Sequence, residues 1–290
     1  LLWLLDKTKT AMGSRMLKQM IENPLIDKEE IENRYDMVSK LLEEFLLKDE
    51  LKELLNEVYD LERLAGRVSF GNANARDLLQ LKSSLKVLPR IKEIVSILGF
   101  NLVIDDLTDL YEFLDKSIYE NPPITLKEGY LIKSGYNKEL DDLKLARSGG
   151  KDFIAKLEEK EKERTGIKNL RVGYNRVFGY YIEVSKGNSR QVKEEFGWER
   201  KQTLANNERF ITPELKEKEQ LILGAEEKII NLEYELFTNI RCKVKEVIPT
   251  IQLTAKMVAK LDVMIAFATV TEENNYTRPI ITLDKEVKII

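Results

Sequence analysis

Histidine is absent from all 290 residues. That removes His–carboxylate bases, Ser-His-Asp triads and every metal site that needs an imidazole. Cysteine occurs once, as Cys242. There is therefore no disulfide framework and no cysteine-built zinc site, and a reducing compartment is the natural expectation. No stretch reaches 18 uncharged apolar residues, so no membrane span is expected. The opening LLWLLDKTKT lacks a basic leader with a long apolar run behind it, and it lacks an initiator Met. It is expected to be a piece of a longer protein rather than a secretory signal. Catalytic signatures are missing too. Gly66-Arg-Val-Ser-Phe-Gly71 has the two glycines of a P-loop, but Asn72-Ala73 stands where Lys-Ser/Thr is required, so it is expected to be a loop. Asp105-Asp106 and Asp141-Asp142 are expected at solvated helix ends, since nothing else converges on them.

What is present is charge and leucine. Charged residues make up 33% of the chain and aromatics only 8%, a balance that suits long, solvated helices. The net charge of −3 argues weakly against a nucleic-acid partner, but its distribution argues the other way. Residues 164–209 hold ten Lys/Arg against five Asp/Glu, a local +5 that leaves −8 on the rest. A small basic module on an acidic body is the footprint of a phosphate-contacting tip, although ordinary surface variation produces such imbalances as well.

Residues 1–100 are expected to form a helical domain. Thr10 caps a helix stopped by Asn23-Pro24; Asp27 and Glu30 form a capping-box-like start for the next. Asp49 starts another and Asn74 caps a fourth; Pro89 opens a new helix that Gly99 ends. A helix near residues 108–119 ends at Asn121-Pro122-Pro123, where a boundary is expected. Ser148-Gly149-Gly150 has the composition of a hinge or loop, followed by a charged helix over residues 151–164. Thr212 caps and Pro213 opens a long helix in which Leu215, Ile222, Ile229 and Leu236 recur every seven residues, with Ala225 and Leu232 between them. That stripe requires a helical partner along its length. After Pro249, Leu253, Met257, Leu261, Ile265 and Ala268 mark a final apolar helix.

Residues 168–212 break this pattern. Leu170, Val172 and Tyr174, then Tyr180, Ile182 and Val184, alternate with their neighbours around a break at Asn175-Arg176-Val177-Phe178-Gly179. Period-two apolar runs interrupted by Asn and Gly predict a β-hairpin. Residues 200–204 and 209–211, joined across Ala205-Asn206-Asn207-Glu208, predict a second pair. Asn175 and Gly179 serve the first turn itself. Arg176 and Phe178 are not needed for turning: an exposed Arg176 suits phosphate contact, and Phe178 packs on a sugar or on the sheet. Near the second turn Lys201, Thr203 and Asn206 offer a cation and small polar donors, with Arg200 and Asn207 beside them, as backbone positioning requires. Tyr180, Tyr181 and Trp198 are expected to pack the sheet.

The stretches VGYNRVFGYYIEVS and QTLANNERFITPELKE, with GYNKELDDL and KEKERTGIKNLRV leading in, resemble the clamp domain of bacterial MutS-type DNA mismatch-repair proteins. LLWLLDKTKTAMGSRML and YDLERLAGRVSFGNANARDLLQL resemble the lever and core of the same family. The resemblance implies a mainly α fold: a helical core bundle whose long antiparallel lever helices carry a small antiparallel β clamp. It implies a core over residues 1–123, a clamp region over 124–217, a returning lever over 218–275 and, from 276, the first edge of an ATPase domain. In such a family two protomers close their clamps over the backbone of double-stranded DNA without reading sequence, and the levers connect that grip to the ATPases. Carried over, Arg176, Lys201 and Asn206 hold phosphates. The resemblance also implies a second MutS protomer, a MutL-type partner and a cytoplasmic, nucleoid-associated location. ATP and Mg would belong to the ATPase region beyond this chain, which itself is expected to catalyse nothing and to take no cofactor. No Phe-x-Glu occurs, so the family's mismatch-probing wedge is not here. The alternative from the residues alone is a coiled-coil scaffold whose β tip contacts protein.

Overall fold

The computed structural model describes residues 1–175, 177–283 and 287–289, with backbone only at Lys151 and Ala155. In chain order the elements are α1 (Leu2–Leu5), α2 (Ala11–Glu22), α3 (Lys28–Glu43), α4 (Phe45–Asn56), α5 (Leu61–Ser69), α6 (Ala75–Ile97), α7 (Thr108–Ser117) and α8 (Lys138–Thr165). Four strands follow, β1 (Arg171–Asn175), β2 (Gly179–Ser185), β3 (Glu199–Thr203) and β4 (Asn207–Ile211), then α9 (Pro213–Glu246) and α10 (Ile248–Asn274). The fold is mainly α with one small antiparallel sheet, as expected. The chain divides into two compact units: residues 1–126, 131–133 and 236 onward, and residues 127–130 with 134–235.

The first unit is a helical bundle built around α10, which packs on α2, α3, α4 and α5. Six consecutive residues of α10, from Leu261 to Ala266, are all buried. A helix apolar all round belongs in a core, but the run contains Asp262. Its carboxylate accepts from the Lys9 amide at 2.9 Å, the Thr10 amide at 2.8 Å and the Thr10 hydroxyl at 2.7 Å. The Thr10 hydroxyl in turn accepts from the Gly13 amide and caps α2. Asp27 caps α3, and Asn74 caps α6 in a reciprocal box with Asp77.

Several local expectations were overturned by packing. α6 runs through Pro89 instead of beginning there. A proline inside a helix costs about 3 kcal/mol, but Leu85, Leu88, Ile91 and Ile94 are buried on both sides of it and hold the helix together. Gly99 does end it, at φ 71°, with the Phe100 amide reaching back to the Val95 carbonyl. α4 starts at Phe45, one turn before Asp49. The expected loop at residues 66–71 is helical to Ser69, and only its end turns, at Gly71.

In the second unit, α8 passes through Ser148-Gly149-Gly150 without a break, so the expected hinge is absent. The reason is close approach. A Cβ on Gly150 would lie 2.6 Å from Cγ1 of Ile222 on α9, whereas a Cβ on Gly149 would meet nothing within 4 Å. Gly150 is there because α9 lies against it; Gly149 has no such reason. Gly149→Ala is therefore expected to raise stability by about 1 kcal/mol and Gly150→Ala to lower it by about 1–3 kcal/mol. Urea titration of the two variants checks the opposite signs. The seven-residue stripe of α9 is buried at Leu215, Ile222, Ala225 and Ile229, then shifts by one residue. Glu233 and Phe237 are buried where Leu232 and Leu236 were expected, a drift that a straight helix of 3.6 residues per turn makes against a repeat of seven. Glu233 is paired with Lys144 at 2.7 Å.

The sheet order is β1-β2-β4-β3, every neighbour antiparallel. One face buries Ile182, Val184 and Phe210 against Ile154 and Leu157 of α8 and Leu215 and Ile222 of α9. Trp198 packs on Phe196 and Phe210, and its indole donates to Glu161. The sheet thus sits on two helices, which position its turns and loops.

Candidate nucleic-acid interface

The strand order decides which of the expected site residues share a place. β2 runs from Gly179 to Ser185, and β4 lies antiparallel to it, with Ile182 opposite Phe210 and Ser185 opposite Asn207. The turn between β1 and β2 therefore lies at one end of the sheet, and the turn between β3 and β4 at the other. Six residues of strand separate them, roughly 20 Å. Asn175 and Phe178 belong to the first end; Thr203, Asn206 and Asn207 belong to the second. Arg176, the expected phosphate contact, lies outside the described residues.

At the first end every described group has a local task. The Asn175 side chain accepts from the Val177 amide at 2.8 Å, shaping the turn. Phe178 packs on Tyr181, and Tyr174 on Tyr180. Gly179, at φ 83°, closes the turn, and Glu219 of α9 lies so near that a Cβ would meet its carboxylate. The same carboxylate accepts from the Tyr180 amide at 2.9 Å, tying the turn to the helix.

Cations on β3 and β4 are occupied. Arg200 pairs with Glu208 at 3.1 Å and lies over the Phe210 ring. Lys201, the extra residue of a bulge between Arg200 and Gln202, pairs with Glu199 at 2.6 Å and holds that carboxyl below its ordinary range. Arg209 pairs with Glu183 at 2.7 Å and covers Tyr181 at 4.3 Å. The Asn207 amide donates to the same Glu183 at 3.0 Å.

The second end is different. Thr203 and Asn206 are exposed, and the Asn206 carbonyl accepts from the Lys186 amide at 2.8 Å, which brings Lys186 beside the turn. Lys186 and Arg190 are exposed and carry no side-chain hydrogen bond or ion pair among the described residues. Arg171, the first residue of β1, pairs with Glu183 across the strands and so reaches the same end. Beside it a polar cleft of about 360 Å³ is lined by Lys162, Lys168, Asn169, Arg171, Ser185 and Asn207, with Glu183 in its wall. Sequence reasoning passed over Lys162, Lys168, Arg171 and Lys186. The pairing of Arg171 with Glu183 follows from the first turn once its closing residues are known; the junction of β2 with β4 does not.

The sequence model of MutS domain III matches residues 1–268. The chain belongs to the MutS domain III family. It is 55% identical over 296 residues to the DNA mismatch repair protein MutS of Bacillus subtilis (strain 168), covering 100% of this chain and 34% of that protein. The proteins of the same name from Bacillus cytotoxicus and Bacillus cereus (strain B4264) are also 55% identical, each over 295 residues, 100% of this chain and 33% of their own length. The chain thus spans about a third of the curated relatives it matches. As a bacterial MutS portion it carries the helical part and the β module of that family. Among the described residues no helix is long and apolar enough to cross a membrane.

Proposed function

We propose that the chain is the DNA-gripping and lever portion of a mismatch-repair MutS. Its β module holds the phosphate backbone of duplex DNA without reading sequence, and the helices transmit that grip to an ATPase region elsewhere in the longer protein. The observation that supports this most is the second sheet end, where Lys186, bonded through its amide to Asn206 of the turn, and Arg190, a few residues further on, are exposed with no carboxylate partner among the described residues. Cations and short donors free of acids are what phosphate contacts need. Among the described residues no exposed aromatic side chain lies at that end, which fits contact with backbone rather than with bases. The mismatch-repair name of the relatives supports the substrate.

On this reading Lys201 and Arg200 act by shaping the module more than by touching DNA, since each is bonded to a carboxylate. Arg176 remains a proposed contact from the sequence. A second MutS protomer, a MutL-type protein, and ATP with Mg in the ATPase region belong to the same proposal for the whole protein, in a cytoplasmic setting. The portion itself is proposed to catalyse nothing.

The test is fluorescence anisotropy on two duplexes, one fully paired and one carrying a single mismatch. Equal affinities within twofold are expected. A clear preference for the mismatch would place recognition in this portion and overturn the reading. Self-association through the β module that ignores DNA would turn it into a protein-contact surface.

A further inference from the structure

We infer that the cleft beside the start of β1 is a seat for one phosphate group, and that it takes a phosphodiester of the duplex backbone; this rests on the reading above. Two strands and the loop before β1 build it. The register sets Arg171 opposite Glu183 and Ser185 opposite Asn207, so the Ser185 hydroxyl and the Asn207 amide face the same space as Arg171 and the Lys168–Asn169 loop.

The charges are what make it an anion site. Glu183 is the one carboxylate among the described lining residues, and it is already met by the Arg209 guanidinium at 2.7 Å and the Asn207 amide at 3.0 Å. Lys162 is bonded to Glu158. Burial pushes Glu158 up, but Lys162 and the Val172 amide hold its carboxyl below the ordinary range, so that pair is neutral in sum. Lys168 and Arg171 remain, exposed and with no side-chain hydrogen bond or ion pair among the described residues, although Arg171 lies near enough to Glu158 to help hold that carboxyl low. Two excess positive charges therefore border a polar hollow with a hydroxyl and amide groups in its wall.

A guanidinium fork meets two phosphate oxygens at once, a lysine supplies a point charge, and Ser and Asn supply the short donors that fix orientation. Nothing aromatic lines the cleft, so a base has nothing to stack on. An acidic protein side chain would fit Arg171 alone; the hydroxyl and amide donors around it match the further oxygens of a phosphate.

The experiment combines two readouts on the full chain. Inorganic phosphate is titrated into 15N-labelled protein, and shifts are expected at the amides of Asn169, Ser185 and Asn207. Duplex affinity is then compared for Lys168→Ala/Arg171→Ala and for a charge-matched control, Lys160→Ala/Lys193→Ala. The control cations are paired, with Glu214 at 3.5 Å and Glu195 at 3.1 Å. The cleft variant is expected to bind duplex about tenfold more weakly, with a log–log salt slope smaller by about two. The control is expected to lose less than twofold, and melting curves of both should match the parent. Equal losses in the two variants would mean a diffuse field and overturn the seat. Salt-dependent duplex binding untouched by the cleft variant would overturn the seat and leave the proposed function standing. Phosphate shifts in the cleft of a chain that binds no duplex would make the occupant a free phosphate and overturn both.

Discussion

Replacing Asp262 with alanine is expected to cost about 3–5 kcal/mol of unfolding free energy. The side chain is fully buried in the middle of α10, and its two oxygens accept from the Lys9 amide and from the amide and hydroxyl of Thr10 ahead of α2. Without it the amide and hydroxyl of the buried Thr10 lose their acceptor, and each orphaned buried donor costs about 1–3 kcal/mol. Lys9 is an exposed residue, so the loss at its amide is smaller. Gly13 fits the same account: a Cβ there would run into the Asp262 carboxylate. Asp262→Asn keeps one oxygen for Thr10 and is expected to lose about 1–2 kcal/mol by urea titration. Its pH dependence has a definite sign. Burial pushes the Asp262 carboxyl above the ordinary 3.8, against the pull of the Lys9 and Thr10 donors. A carboxyl that holds its proton more tightly when folded stabilises fully below 3.8, and that contribution is lost as pH rises through the folded value. The deficit of Asp262→Asn should thus be larger at about pH 4 than at about pH 7. Asp60 has the opposite sign. Burial pushes it up, but the Arg15 guanidinium and the Arg63 amide hold its carboxyl below the ordinary range, so its contribution is lost as pH falls.

The second large effect belongs to the β module. Phe210→Ala is expected to cost about 3–5 kcal/mol. The ring is 2% exposed and lies at the centre of the cluster that joins both helices to the sheet, with Trp198 at 5.6 Å and Arg200 at 5.8 Å. Four short strands have no other core to fall back on. The Trp198 indole, now held between Phe196, Phe210 and Glu161, should become wet and shift its emission to the red. Trp3 is 84% exposed already and gives a constant background. Duplex affinity should fall with the sheet. A Phe210→Leu variant, which fills most of the volume, should keep both signals near those of the parent.

These effects lie where sequence and structure part company. Helix starts were legible at Thr10, Asp27, Asn74 and Thr212, because a cap acts over three residues. Both hairpins were legible because alternation and turn residues are local as well. What was not legible depends on distant partners. Gly149-Gly150 has the composition of a loop, and only Ile222, 72 positions later, makes a helix with a glycine in it the better packed choice. Pro89 is overridden in the same way by its buried neighbours. For the site, residue types suggested phosphate chemistry, but the β2–β4 junction that sends the two turns to opposite ends is a long-range pairing. Lys201 and Arg200 looked free in the sequence and are bonded to Glu199 and Glu208. Lys168 and Arg171 looked like the lead-in to a strand and border a polar cleft with small donors in its wall.

The most direct test of the central claim, that the β module grips duplex backbone through phosphates, is the salt dependence of duplex affinity. Anisotropy titrations of one fully paired duplex across several salt concentrations give the slope of log affinity against log salt. A few phosphate contacts predict a slope of roughly −2 to −4. A slope indistinguishable from zero, with binding still present, would mean that no phosphates are neutralised, and the account of this module as a backbone clamp would be wrong.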